Sequence, residues 1–213
     1  MKLNPLLRKG IAEAMGVMVF VTSIVATSMN PTFKNFALAG TLTLMILLTA
    51  TISGGHLNPA VSFFFYARRE INLSTLLTYW IAQLAGGALG TYLGLSLTGS
   101  TIKPMNTSTV SQSGALIGEV LATTVLILII VRLATTKREA VIPFGVGIWV
   151  LAASTFTVTG AQANPAVTFG LMVRDGFTQD NLMLVLAQFI GALLALVYIV
   201  VLDGSAKKKK VKK

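Results

Sequence analysis

Cysteine is absent from the 213 residues, so no disulfide, thiolate ligand or thiol redox chemistry can be built from this chain. Histidine occurs once, at His56, and a lone imidazole without cysteine makes no metal site and has no evident nucleophilic partner. Charge is scarce as well. Only 11% of the residues are charged, where a soluble domain carries about 25%. Nor does any stretch resemble a nucleotide-binding motif, so active pumping has no visible energy source. These absences argue against an enzyme and call for no cofactor.

What fills the chain is apolar. Hydrophobic residues make up 54% of it, and the mean hydropathy is +0.78. Several apolar stretches of about 18 residues or more mark a polytopic membrane protein. No polar linker is long enough to separate two domains, so residues 1–213 read as one integral membrane domain. The first apolar stretch follows Lys2, Arg8 and Lys9 and lacks a small-residue cleavage site, which predicts a retained span. The net charge of +10 suggests nucleic acid until its placement is seen. Lys207 to Lys210, Lys212 and Lys213 lie in a basic tail, 203–213, just past the last apolar stretch. There they act on topology and offer a contact to anionic membrane lipid, not to nucleic acid.

One short phrase occurs twice: Asn58-Pro59-Ala60-Val61-Ser62-Phe63 and Asn164-Pro165-Ala166-Val167-Thr168-Phe169. Asn before Pro before an apolar run starts a helix, because Asn caps free N–H groups and Pro has none to leave unpaired. Each copy follows an irregular, Gly-containing stretch, Gly54-Gly55-His56-Leu57 and Gly160-Ala161-Gln162-Ala163. Only about nine or ten residues separate each Asn-Pro-Ala from the charges Arg68-Arg69 and Arg174-Asp175, too few to cross about 30 Å of hydrocarbon. Both therefore read as half-helices. Around them lie six candidate spans, roughly 10–28, 36–51, 73–97, 114–133, 140–156 and 182–202. Residues 98–113, rich in Ser and Thr with Lys103 and Pro104, read as the longest exposed loop. Gly86, Gly90 and Gly94 in the third span form a close-packing face between helices.

The spacing of polar landmarks is nearly constant. Glu13 to Glu119, Gly54 to Gly160 and Asn58 to Asn164 are each 106 positions apart, and Gln83 to Gln188 is 105. The chain is thus two similar halves, repeat one at 8–97 and repeat two at 114–202. Three spans per half turn the second half upside down in the membrane. The expected fold is an all-α membrane protein of six transmembrane helices plus two re-entrant half-helices in an inverted repeat. With both termini cytoplasmic, 14 of the 17 Lys and Arg fall on the cytoplasmic side, leaving Lys34, Lys103 and Arg174 outside.

Two opposed half-helices bring Asn58 and Asn164 to mid-membrane with their positive N-terminal dipole ends facing each other. That potential repels cations, while the asparagine amides donate to a neutral oxygen passing by. The carbonyls of Gly54, Gly55, His56, Leu57, Gly160, Ala161, Gln162 and Ala163 supply a ladder of acceptors. Irregular backbone at this depth is tolerated where it lines water. The arrangement points to a passive conduit for water and small uncharged solutes.

The twin Asn-Pro-Ala phrases, Ser53-Gly54-Gly55-His56, the span carboxylates Glu13 and Glu119, and Gln83 and Gln188 make the chain resemble the aquaporin and aquaglyceroporin family, the major intrinsic proteins, along nearly its whole length. The resemblance implies six tilted helices around one pore per subunit, four subunits to an assembly, and residence in a cell membrane. It implies that Glu13 and Glu119 brace the re-entrant loops by accepting backbone N–H bonds, and that His56 is a pore-side or loop-bracing residue. One departure matters. Where the family usually places an Arg after the second Asn-Pro-Ala, this chain has Val167, and Thr168 stands where glycerol facilitators carry Asp. Counting without gaps puts the other selectivity-filter positions near Leu38, Ala152 and Ala161. The filter would then be wide, apolar and without a fixed cation. The leading expectation is a channel for water and small neutral solutes. A glycerol, urea or metalloid facilitator and a non-conducting junction or scaffold member are the alternatives.

Overall fold

The computed structural model describes residues 3–27, 30–100 and 112–202. Eight α-helices occupy most of them: α1 Pro5–Ala26, α2 Lys34–Ser53, α3 Pro59–Ala67, α4 Leu73–Thr98, α5 Gln112–Thr135, α6 Ile142–Phe156, α7 Pro165–Asp175 and α8 Gln179–Leu202. Five helical stretches among the described residues are long and apolar enough to cross a membrane: Pro5–Ala26, Pro31–Ser53, Gln112–Thr135, Glu139–Phe156 and Gln179–Leu202. The sixth long helix, α4, has 26 residues, about 39 Å at 1.5 Å per residue, and its glycines and hydroxyl residues dilute its hydropathy. The two short helices are different. α3 has 9 residues and α7 has 11, spanning about 14 and 16 Å, roughly half the hydrocarbon thickness.

Helix boundaries differ from the sequence expectation for local reasons. α1 starts at Pro5 because Asn4 Oδ1 accepts the Leu6 N–H at 2.8 Å and proline fills the first position. Arg8 and Lys9, which interrupt the apolar pattern, lie inside the helix. α7 runs through Arg174 and Asp175 instead of stopping before them, and ends at Gly176 with φ 101°. α4 closes on Gly99 at φ 63°, and α5 begins at Gln112. The remainder of the expected loop, with Lys103 and Pro104, lies outside the described residues, as do Lys2, Ser28 and the basic tail.

Small residues set how closely the helices approach. A Cβ on Gly86 would sit 2.3 Å from the Ala14 carbonyl oxygen, and one on Gly90 would sit 2.4 Å from that of Met18. The α1 and α4 backbones therefore touch, and Thr22 Oγ1 donates across them to the Gly90 carbonyl at 3.2 Å. In the second half, Gly191 of α8 meets the Val120 carbonyl of α5 in the same way, at 2.7 Å from its ideal Cβ. Gly86 and Gly191 are 105 positions apart, the interval of Gln83 and Gln188. The half-helices interlock the two halves. α7 lies against α4, where Thr91 Oγ1 donates to the Gly170 carbonyl at 2.7 Å. α3 lies against α8 through the edge-to-face pair Phe63 and Phe189, 5.6 Å between ring centroids. Val17, Val21, Leu57, Ala60, Phe64, Ala166 and Val167 form the buried centre. Large apolar side chains such as Leu44, Ile81, Ile117 and Val201 point outward instead, the inside-out distribution that lipid solvation permits.

Candidate functional site

Each half-helix begins at its asparagine. Asn58 Oδ1 accepts the Ala60 N–H at 2.9 Å, and Asn164 Oδ1 accepts the Ala166 N–H at 2.9 Å, with Pro59 and Pro165 at the first helical positions. The amide end of each side chain reaches into the other half. Asn58 Nδ2 donates to the Ala163 carbonyl at 2.8 Å, and Asn164 Nδ2 donates to the Leu57 carbonyl at 2.8 Å. Both asparagines are 4% exposed, so these bonds are made away from bulk water. Leu57 and Ala163 carbonyls are thereby engaged by asparagine, which removes one lone pair of each from the eight-carbonyl ladder expected from the sequence. The loops that carry these carbonyls are bent by left-handed residues: Gly54 (φ 93°), Gly55 (61°) and Leu57 (48°) before the first half-helix, and Gly160 (73°), Ala161 (52°) and Ala163 (47°) before the second. A left-handed non-glycine residue costs about 1–2 kcal/mol, so something must hold Leu57, Ala161 and Ala163 in place.

Two buried carboxylates do so. Glu13 Oε1 accepts the Ser53 hydroxyl at 2.5 Å and the His56 N–H at 3.0 Å, and its Oε2 accepts the Leu57 N–H at 2.6 Å and Gln83 Nε2 at 2.7 Å. Glu119 repeats the pattern. Its Oε1 accepts the Thr159 hydroxyl and the Gln162 N–H, the latter at 3.0 Å, and its Oε2 accepts the Ala163 N–H at 2.7 Å and Gln188 Nε2 at 2.6 Å. Four donors saturate each carboxylate, which offsets the cost of burying it at 0% exposure. The glutamines extend the networks to the half-helices, Gln83 to Ser62 Oγ at 3.1 Å and Gln188 to Thr168 Oγ1 at 2.9 Å. His56 stands opposite Ser62, Nδ1 to Oγ 3.1 Å, and stacks on Phe65 with ring centroids 4.8 Å apart. Gln162 takes the corresponding place in the second half, its Oε1 accepting the Thr168 hydroxyl at 2.6 Å.

Sequence reasoning gave no role to several members of this scaffold. Ser53 and Thr159 reach the carboxylates, and the hydroxyl of Tyr79 donates to the Ser53 carbonyl. Trp80 Nε1 donates to the Pro59 carbonyl at 3.0 Å, and Trp149 Nε1 to that of Ala122 at 2.9 Å. Ser53 and Thr159 carry the 106-residue offset, which extended to hydroxyl residues would have found them. The tryptophan and tyrosine bonds have no mirror partner in the sequence and no such signal.

Two cavities open from the asparagine pair. The larger, about 530 Å³, is lined by Leu38, Val150, Ala161 and Val167, and by Lys34, Arg174, Asp175 and Asn181 among others. The smaller, about 130 Å³, is lined by Gly54, Gly55, His56, Ile46 and Val146 among others. Arg174 is paired bidentately with its neighbour Asp175, at 2.5 and 2.6 Å, so its charge is largely cancelled at this mouth. Ala152 requires a correction. It is exposed and does not border either cavity, whereas Val150 and Ser154 both line the larger one. Counting fixes distance along the chain but not rotation. Two residues on a helix turn the side chain by about 200°, which points Ala152 away while Val146, Val150 and Ser154 share the inner face.

Against this geometry stand the matches to known proteins. The Major intrinsic protein family model matches residues 1–142 and again 106–212. The chain belongs to the major intrinsic protein family. A relative in that family, the aquaglyceroporin of Toxoplasma gondii, is 35% identical over 172 residues, which cover 75% of this chain and 64% of the relative. The chain thus spans less than two thirds of that relative's length. Probable aquaporin PIP2-8 of Arabidopsis thaliana is 28% identical over 93% of this chain and 82% of its own. Among solved structures, the X-ray structure of the aquaglyceroporin from Plasmodium falciparum superposes with a TM-score of 0.79 at 23% identity, covering 93% of this chain and 97% of that one, which shows the shared fold. Membership of the family and the apolar helices together make this an integral membrane protein.

Proposed function

We propose that the chain is a passive channel for water and small uncharged solutes whose outer constriction is wide, apolar and free of the usual arginine. The observation that carries this reading is the meeting of two cavities at the N-terminal ends of two opposed half-helices, with Asn58 and Asn164 between them. Each end contributes about half a positive elementary charge, which disfavours cations in a low-dielectric site while neutral oxygens are held by amide donors. Leu38, Val150, Ala161 and Val167 take the place of a filter, and Glu13 and Glu119 hold the carbonyl-bearing loops in shape. Permeation needs no cofactor, metal or covalent step.

A second reading, a facilitator for bulkier neutral solutes such as glycerol, urea or undissociated metalloid acids, is favoured by the size of the 530 Å³ cavity and by Val167 standing where a cation would narrow it. The chain further reads as a single membrane domain of two repeats, 8–97 and 114–202, followed by a basic tail at 203–213. Four copies assemble in the plasma membrane, with both termini cytoplasmic and lipid around the outer apolar faces. Stopped-flow shrinkage of proteoliposomes tests the channel directly. Osmotic water permeability well above that of empty liposomes is expected. A rate equal to empty liposomes would mean a non-conducting junction or scaffold. Glycerol flux as high as that of water-sized solutes would favour the facilitator.

A further inference from the structure

Gln162 borders the larger cavity and not the smaller one. It lies 106 positions after His56, between the left-handed Ala161 and Ala163 in the loop before α7. Its side-chain oxygen Oε1 is 2.6 Å from the Thr168 hydroxyl. That length suits O–H···O and is short for N–H···O, so the oxygen and not the nitrogen of the amide meets Thr168. Among the described residues Nε2 meets no acceptor, and it is not sealed inside protein, so it opens on the cavity that Gln162 borders. We infer that the Gln162 amide is a solute-facing donor, offering N–H groups to neutral solutes that carry a carbonyl or hydroxyl oxygen, in a cavity where Leu38, Val150, Ala161 and Val167 offer no polar side-chain atom. The inference rests on the channel reading and deepens it.

The direction of this group is imposed from the buried carboxylate outward. Glu119 Oε2 accepts one N–H of Gln188 at 2.6 Å, and Thr168 Oγ1 accepts the other at 2.9 Å. Turning the Gln188 amide over would set its oxygen against the carboxylate. The orientation therefore holds even though it leaves Gln188 Oε1 buried and unpartnered among the described residues. Thr168 thus receives a proton from Gln188 and gives its own to Gln162, whose oxygen can only accept. Each bond fixes the next, and the series ends in an amide with its N–H groups turned away from Thr168. Other polar side chains on this cavity are already engaged. The Ser154 hydroxyl donates to the Leu151 carbonyl at 3.0 Å, that of Thr159 to Glu119, and Gln112 Nε2 to Asp180 at 2.8 Å. A solute passing the apolar side chains gives up hydrogen bonds to water, and an accepting oxygen regains one at Gln162.

The test uses the full chain in liposomes at pH 8, with stopped-flow fluxes of water, urea and glycerol. Gln162→Met keeps the length of the side chain and removes the donor. Gln162→Glu keeps an oxygen for the Thr168 hydroxyl and turns the other end into an acceptor. Both are expected to lower the urea-to-water and glycerol-to-water flux ratios by about three- to tenfold. Gln162→His can set one ring nitrogen on Thr168, as His56 sets Nδ1 3.1 Å from Ser62, and leave an N–H for the solute. It is expected to recover most of the loss. If Gln162 only braced Thr168, Gln162→Glu would keep the wild-type ratios, and that result would overturn the donor. Should Gln162→Met incorporate poorly, the other two variants decide, and equal ratios in Gln162→Glu and Gln162→His would also overturn it. Variants that conduct water with wild-type solute ratios would do the same and leave the channel standing. Wild-type liposomes no faster than empty ones would overturn the channel reading itself, and the donor with it.

Discussion

The side-chain amide of Asn58 donates to the carbonyl of Ala163 at 2.8 Å, and that single bond ties the start of one half-helix to the loop that feeds the other. Asn164 returns the bond to Leu57 at the same distance. Each asparagine therefore does two jobs, capping its own helix with oxygen and clasping the opposite half with nitrogen. Aspartate keeps the cap and loses the clasp. Asn58→Asp is expected to destabilise the folded protein by about 1–3 kcal/mol, the cost of leaving a buried carbonyl without its donor and facing it with an acceptor. The new carboxylate also cancels the positive end of α3. Potassium leak from loaded proteoliposomes should rise above the wild-type level, and thermal unfolding in detergent should occur at lower temperature.

Glu119 accepts four bonds, two of them from the N–H groups of Gln162 and Ala163 in a loop with two left-handed alanines. Glu119→Gln replaces an acceptor oxygen with a donor that faces other donors. Two or more buried groups lose their partner at about 1–3 kcal/mol each. The expected result is a large fall in the yield of monodisperse protein by size-exclusion chromatography and a lower midpoint of thermal unfolding. Glu13→Gln should behave alike, since its four partners are the mirror set.

How much of this was legible beforehand depended on whether a feature left a mark along the chain. The two Asn-Pro-Ala starts, the carboxylates and the glutamines repeat at 106 or 105 positions, so fold and scaffold could be read by counting. Helix ends were read less well, because Arg8, Lys9 and Arg174 break the apolar pattern while the backbone continues through them. The inward face of α6 was read worst. Which residue of α6 looks inward depends on the helix's rotation, and rotation is set by contacts such as the close approach of Gly147 to Thr43, which no linear spacing encodes.

That rotation makes a prediction of its own. Val150 borders the larger cavity and is 6% exposed, whereas Ala152 lies on the outward face. Val150→Phe should narrow the passage and reduce glycerol flux by about tenfold, an added barrier of about 1.4 kcal/mol. Ala152→Phe should leave both fluxes near wild type. Equal loss in the two variants, measured in the same liposomes, would place the wrong face of α6 toward the solute.

Glycine positions separate close packing from mere presence. A Cβ on Gly87 would lie 2.4 Å from the backbone oxygen of Ala166, at the first turn of the second half-helix, whereas one on Gly40 meets nothing within 4 Å. Gly87→Ala must push α4 and α7 apart, and overpacking of this kind costs about 1–3 kcal/mol. Gly40→Ala replaces a flexible residue in open space within α2 and is expected to stabilise by up to about 1 kcal/mol. Thermal unfolding of the two variants in one detergent should shift in opposite directions.

Val167 is 1% exposed and borders the larger cavity together with Leu38 and Ala161. Arginine at this position adds length, a fixed charge and five donors beside the carbonyls of the second loop. Val167→Arg should therefore narrow the larger cavity at this position and cut glycerol flux more than water flux. The added charge would also add to the repulsion of cations expected from the two helix ends, at a mouth where Arg174 is held by Asp175. Any cation leak measurable in the wild type should fall in this variant. A glycerol-to-water ratio unchanged from wild type would mean that the residue at 167 does not border the path that solutes take.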